Sequence, residues 1–375
     1  MKYLITLLGI VLYFSTIASV VKTLVIPRGH IARIPKTIDI FIEFIYKNLC
    51  KTTHSYKSRD ALRSSQAAVN IFLDLLVWVI FLLFSLSFML FPSQQSFGNS
   101  IREAGASLLT LGFVSTPTPW ATIVDFLAGF SGLVIVALQI SYLPTIYAAF
   151  NRRETKITLL SSHVGSPPWG PELLARTRIG IVDNQVLGIY REWEEWAADV
   201  AESHSTYPIL LRLRSPDPYS SWIISLLCVL DSAALYLSLS PSQAPLETRL
   251  ALRMGFECLR TLARSSGIGY DSDPKPTDPI QLSFSEFMTG VDRIASVGFP
   301  IERDPQEAWK HFKGWRINYE SIAYEMAKMI DAVPAQWSGP RLLTSSELKT
   351  QRVINRTPDD TEGSSFEPKQ DPNQH

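Results

Sequence analysis

The chain has 375 residues, 46% of them hydrophobic, and its 35 Lys and Arg are matched by 35 Asp and Glu. A balanced charge with no basic stripe of interleaved aromatics excludes a nucleic-acid partner. The three cysteines, Cys50, Cys228 and Cys258, are isolated and form no C-x-x-C pair, so neither a disulfide framework nor a zinc site is indicated.

These averages hide an asymmetry, because the first 150 residues are membrane-like and the remainder reads as a soluble helical domain. Residues 1–26 come first. Tyr3 to Val21 is apolar apart from Ser and Thr, about the length that crosses a bilayer core at ~1.5 Å per residue. Lys2 ahead of an apolar run also fits a cleaved signal peptide. The run continues into Val21–Gly29 without a small-x-small site, so a retained transmembrane anchor is expected. Residues 27–66 hold eight cations, Arg28, Arg33, Lys36, Lys47, Lys51, Lys57, Arg59 and Arg63, whereas Pro92 to Pro119 holds only Arg102. The positive-inside rule makes 27–66 a cytoplasmic loop and puts the N-terminus outside. Within it Ile38, Phe41, Ile42, Ile45 and Leu49 recur at helical spacing with Asp39, Glu43 and Lys47 opposite, which predicts a helix lying on the membrane surface.

Residues 67–153 form the next block of the chain. Its first span is Phe72 to Phe91, stopped by Pro92, with Asp74 at its cytoplasmic edge. An acid there is a functional candidate by default, although interfacial water or a loop cation also accounts for it. A short helix-like stretch, Ser100 to Leu109, leads into Thr110-Leu111-Gly112-Phe113-Val114, and a second apolar run extends from Trp120 to Phe150. At 31 residues this run makes a helix of ~46 Å, longer than a bilayer needs, so its inner end should project into the cytoplasm. Gly129 and Gly132 permit either a bend or close packing of a neighbour. Pro144 removes a backbone hydrogen bond and predicts a kink near the inner end. Asp125, one turn past the loop's outer mouth, is placed to concentrate cations or to pack against the short helix.

The order of span, short helix, Thr-x-Gly-aromatic and span resembles the pore module of the potassium-channel superfamily, whose filter reads T-V-G-Y-G or T-L-G-F-G. The resemblance implies a selectivity filter over Thr110, Leu111, Gly112, Phe113 and Val114, in which backbone carbonyls replace the water shell of a potassium ion. Thr110 would supply the innermost oxygens, Gly112 a backbone turn closed to other residues, and Phe113 a spring against the pore helix. Val114 stands where the family has its second filter glycine, and a β-branched residue is poorly suited to positive φ. The similar letters at Ser266-Gly267-Ile268-Gly269-Tyr270-Asp271 precede no membrane segment and are read as a loop. Trp337-Ser338-Gly339-Pro340-Arg341 and the Thr23–Gly29 stretch are similar to bacterial membrane proteins that carry the same degenerate loop.

Residues 154–171, with Ser166-Pro167-Pro168 and Gly170-Pro171, read as a linker from about Ser161. A cytoplasmic helical domain follows over 172–342, its first helix running from about Glu172 to Ser203. Trp222 to Leu239 is apolar enough to span, but Asp231 at its centre and Pro241 at its end predict a buried core helix instead. Ser283 with Glu286, and Asp304-Pro305 with Glu307, have capping-box spacing, the second opening a long helix up to Pro334. Residues 343–375 are polar and read as a disordered tail. The six histidines are scattered, and no H-E-x-x-H, Walker loop, G-x-S-x-G or dinucleotide fingerprint appears. No enzyme activity, catalytic residue, cofactor or metal site beyond a permeating monovalent cation is therefore expected. His204 and His311 with Asp199 are the grouping that only folding would assemble.

The expected fold is an all-α membrane protein with three transmembrane helices, a re-entrant pore helix and filter-like loop, and a cytoplasmic all-α domain. The expected protein is a homotetrameric cation channel of the cell membrane, with the cytoplasmic domain regulating the gate or meeting a protein partner. A non-conducting, membrane-anchored scaffold derived from that fold is the alternative.

Overall fold

A computed structural model describes residues 2–26, 32–53, 55–177 and 185–341. Arg28, His30 and His54, and the tail expected over 343–375, lie outside the described residues. Every regular element among them is helical. Four helical stretches are long and apolar enough to cross a membrane: Lys2–Leu24, Tyr56–Ser93, Pro119–Val164 and Trp222–Leu239. In the first three the protein buries only 28% of the apolar window, as expected of helices that meet lipid, but in the fourth it buries 94%. The chain thus has membrane-protein character, carried by its apolar helices.

The chain divides into two compact units. The first comprises Met1–Arg153, Ala198–Arg214 and Cys258–Gly269. Its elements are α1 (Lys2–Leu24), α2 (Arg33–Cys50), α3 (Tyr56–Ser64), α4 (Gln66–Leu90), α5 (Phe97–Leu108) and the part of α6 (Pro119–Val164) up to Arg153. Their ends follow from local chemistry. Ser55 and Ser96 cap α3 and α5 by accepting from Ser58 N–H and Asn99 N–H. Thr118 accepts from Ala121 N–H, and Pro119 fills the first helical position of α6, where no amide is needed.

The core of this unit is built from Tyr13, Val20, Trp78, Leu82, Leu86 and Ala128, with Ala104 and Leu108 of α5 packed among them. Gly9 lets α1 approach α4 closely, since a Cβ there would sit 2.6 Å from the Ser85 carbonyl oxygen. Polar groups in this apolar setting pair across helices, Tyr13 Oη with Ser131 Oγ at 2.7 Å and Trp78 Nε1 donating to Ser19 Oγ at 3.2 Å. On α2 the acids turn inward, contrary to the solvated face expected. Asp39 and Glu43 meet Arg212, and Glu43 also accepts from Arg63 and Gln66, while Ile40, Phe41 and Phe44 are exposed.

The second unit comprises Glu154–Ala197, Ser215–Glu257 and Tyr270–His375. It holds the end of α6, α7 (Gly170–Thr177), most of α8 (Gln185–Thr206), α9 (Trp222–Leu239), most of α10 (Leu246–Ser266), α11 (Phe284–Ala295), α12 (Pro305–Arg316) and α13 (Glu320–Met329). The apolar α9 is its axis, and α7, α12 and α13 pack on it. Asp231, the one acid in α9, accepts from Arg316 Nη1 at 2.5 Å and Tyr319 Oη at 2.7 Å. Arg316 is fully buried and spends its other donors on Glu320, Tyr324 Oη and the Trp337 carbonyl. Gly170 lets α7 lie against the α9 backbone at Cys228 and Ser232.

Three local expectations change. The helix α6 continues to Val164 where a linker was expected from Ser161, because Ser161 and Ser162 bond back to the Ile157 and Leu159 carbonyls. Gly165, at φ +82°, then ends the helix, and Gly165 to Pro168 are buried. The single helix expected over Glu172–Ser203 is α7 and α8, with 178–184 outside the described residues. The long helix after Asp304 is divided into α12 and α13, since Asn318 Nδ2 takes the Gly314 and Trp315 carbonyls. The capping box at Ser283 and Glu286 forms in full, whereas Asp304 caps α12 through Gln306 N–H alone.

Candidate functional site

The α5–α6 connection starts as a helix end. Leu111 N–H donates to the Ala106 carbonyl at 2.7 Å and Thr110 N–H to the Ser107 carbonyl at 3.1 Å, the two bonds of a Schellman motif. Its left-handed position, usually glycine, is Thr110 at φ +56°. Gly112 has φ +66° with open space around it, so the glycine serves the backbone and not packing. Val114 is not among the residues with positive φ, so the strain expected at that β-branched residue falls on Thr110 instead. Thr110, Leu111, Gly112 and Phe113 are exposed and Val114 is half-buried. Phe113 turns its ring to Arg102 of α5, whose guanidinium carbon lies 5.5 Å from the ring centroid.

Behind the loop stands Glu103, a fully buried acid of α5 that the sequence reading did not single out. Its Oε1 accepts from Thr116 N–H at 2.6 Å, and its Oε2 from Thr116 Oγ1 at 2.8 Å and from Gln94. One carboxylate thus ties together the chain entering α5 and the chain leaving the loop. The signal available was an acid among small residues in Ala104-Gly105-Ala106, too brief to separate from a surface position. Asp125 accepts from Ser107 Oγ at 2.6 Å, a hydrogen bond that joins α6 to α5.

Gly132 is a close-approach residue, and Gly129 is in ordinary contact with the same helix. A Cβ on Gly132 would lie 2.0 Å from the Leu108 carbonyl oxygen, and one on Gly129 would lie 3.6 Å from that of Ser107. The C-terminus of α5 therefore rests on α6 roughly 20 Å along from Pro119, at ~1.5 Å rise per residue. Pro144 is exposed, and α6 runs through it without interruption.

At the far end of this part of α6, Arg152 pairs with Asp199 at 2.8 Å, and the buried Arg153 donates to the Leu210 and Leu213 carbonyls at 2.7 and 2.6 Å. The 3₁₀ turn Pro208–Arg212 and the two residues after it form a strap. Arg212 binds Asp39 and Glu43 of α2, while Arg214 binds Asp60 and Tyr56 of α3. Burial pushes the Glu43 carboxyl up, but the Gln66 hydrogen bond and the Arg212 and Arg63 guanidinium groups hold it below its usual value. His204 is buried, and burial and Arg153 lower its pKa well below the ordinary value. Arg153 Nη1 donates to its Nε2 at 3.0 Å, which leaves the proton on Nδ1 facing Ser203 Oγ at 2.9 Å. Sequence reasoning missed the strap because its partners are about 150 to 170 residues apart.

Asp199 pairs with Arg152, His204 lies on Arg153, and His311 pairs with Glu307, so these residues are not brought together among the described residues. Among the described residues no cluster of three or more His, Cys, Asp or Glu is placed to hold a metal. No protein-family model, curated protein or solved structure matches this chain.

Proposed function

We propose that residues 67–153 are one quarter of a tetrameric cation-channel pore, with α5 as a re-entrant pore helix and Thr110–Val114 as the filter segment. The observation that carries this reading is the depth of α5. A helix of 12 residues that begins near the end of α4 and comes to rest on Gly132, far along α6, enters the membrane and must return in the same direction. Thr110–Phe113 are exposed, the amides of Thr110, Leu111 and Gly112 being spent on the end of α5, so that their carbonyls are available to line a shared axis. Glu103 holds the returning chain in place. One loop supplies only part of a ring of carbonyls, hence four copies. The basic 27–66 stretch places the N-terminus outside and the second unit in the cytoplasm of a cell-membrane protein. There α9 is a core helix and not a fourth span, and the strap fastens the inner end of the pore-lining α6. Potassium is the permeant ion we assign.

Cross-linking in native membranes should give tetramers. Purified protein in liposomes should pass potassium ahead of sodium, and Val114→Gly should raise that preference. A tetramer that conducts neither ion, with or without Val114→Gly, would favour the scaffold reading. A protein that cross-links only as monomers would end the channel reading.

A further inference from the structure

The first unit contains a polar cavity of about 100 Å³ between the end of α1, α2, the first turns of α4, α6 and the strap. Its polar lining includes Lys22, Asp39, Asn70, Asp74, Tyr142 and Arg212, beside the hydroxyls of Thr23 and Thr206. Asp39 is satisfied by two of the others: Arg212 holds it at 2.9 Å, and Asn70 Nδ2 donates to it at 2.9 Å. Two buried oxygens are left over. Asn70 Oδ1, on a side chain with 3% exposure, and Asp74 Oδ1 have no hydrogen-bond partner among the described residues. Both are acceptors, and a buried unpaired acceptor costs about 1–3 kcal/mol, so a donor is called for.

The ligand's chemistry follows from what is missing. Among the described residues Asp74 makes no ion pair and its Oδ1 is unpaired, and Lys22, exposed beside the same cavity, likewise makes no ion pair. A bare alkali ion asks for five or more oxygens and offers nothing to Lys22. A primary ammonium has three N–H donors, which match Asn70 Oδ1, the Asp74 carboxylate and the Tyr142 hydroxyl, and an anionic group joined to it by a short linker meets Lys22. We propose that this cavity binds the ammonium of a zwitterionic phosphoethanolamine group, with Asp74, Asn70 and Tyr142 as acceptors and Lys22 on the phosphate. The site does not depend on the filter reading. It lies between the strap at Arg212 and α6 at Tyr142, two residues before Pro144, so occupancy changes how firmly that end of α6 is held.

The test uses the full chain in detergent and then in nanodiscs. Thermal unfolding is followed with phosphatidylethanolamine, with phosphatidylcholine, whose methylated nitrogen has no N–H, and with soluble phosphoethanolamine. Phosphatidylethanolamine should raise the midpoint by about 5 °C or more at saturation, and phosphatidylcholine should not. Asp74→Asn should weaken that effect at least tenfold while melting normally without lipid, and Tyr142→Phe should weaken it less. Lys22→Gln should weaken protection by phosphatidylethanolamine and by soluble phosphoethanolamine, and should leave unchanged the protection by plain ethanolamine measured alongside them. Protection by the lipid alone assigns a membrane headgroup, and protection by soluble phosphoethanolamine as well assigns a free metabolite, both supporting the ammonium site. Equal protection by the two lipids, or full protection of Asp74→Asn, means the cavity holds only water and overturns the proposal.

Discussion

Thr110 is the residue at which local and global demands conflict most openly. A left-handed conformation costs a residue with a β-carbon about 1–2 kcal/mol, and glycine at that place would lose about 0.5–1 kcal/mol through chain entropy. Thr110→Gly should therefore stabilise the protein by up to about 1 kcal/mol, read as a higher unfolding midpoint in detergent. A lower midpoint would mean that the Thr110 side chain makes contacts that outweigh the strain. His204 makes a second residue-level prediction. Its folded pKa lies below the unfolded one, so the unfolded chain takes up the proton first and stability rises with pH. The full contribution is present above about pH 6.5 and declines as pH falls below it. Glu43, also depressed, adds a further decline at lower pH. Midpoints measured from pH 7.5 to 5 should fall, and His204→Gln should flatten the limb between 6.5 and 5.5.

At the scale of elements, α5 owes its close approach to α6 to one small residue, Gly132. Gly132→Ala would force a methyl against the Leu108 carbonyl oxygen, and with main chain on both sides the helices must separate. A loss of about 1–3 kcal/mol is expected, the usual range for overpacking. Gly129→Ala places its methyl at ordinary van der Waals distance and should cost under about 0.5 kcal/mol, because alanine also favours the helix. Equal melting of the two variants would show that α5 does not rest on α6 as described. The two glycines were legible in the sequence as places for either bending or close packing, and only the neighbour at 2.0 Å against 3.6 Å separates them. The helix ends were legible where the cap is local, as at Ser283, and illegible where a side chain such as Asn318 competes for carbonyls within the helix.

At the scale of the whole molecule, each unit is held by charges buried far from their sequence neighbours. Asp231→Leu alone leaves Arg316 buried with one carboxylate fewer and should cost about 3–5 kcal/mol. Asp231→Leu with Arg316→Met removes both charges and should recover much of that loss, as scored by urea unfolding. A double variant no better than the single one would show that Glu320, Tyr324 and the Trp337 carbonyl depend on Arg316 for more than charge balance. Composition and periodicity by themselves determined that the chain is helical, where its long apolar segments lie, and that Asp231 marks Trp222–Leu239 as different from the others. Those properties are written in consecutive residues, since hydropathy and helix capping act over a few positions. Tertiary structure alone decided which residues answer Asp231, that Asp39 and Glu43 face inward to Arg212, and that residues 198–214 fold with the first unit. The reason is physical: a buried charge needs a partner in space, and any of the chain's many cations satisfied that need until packing brought one of them within reach.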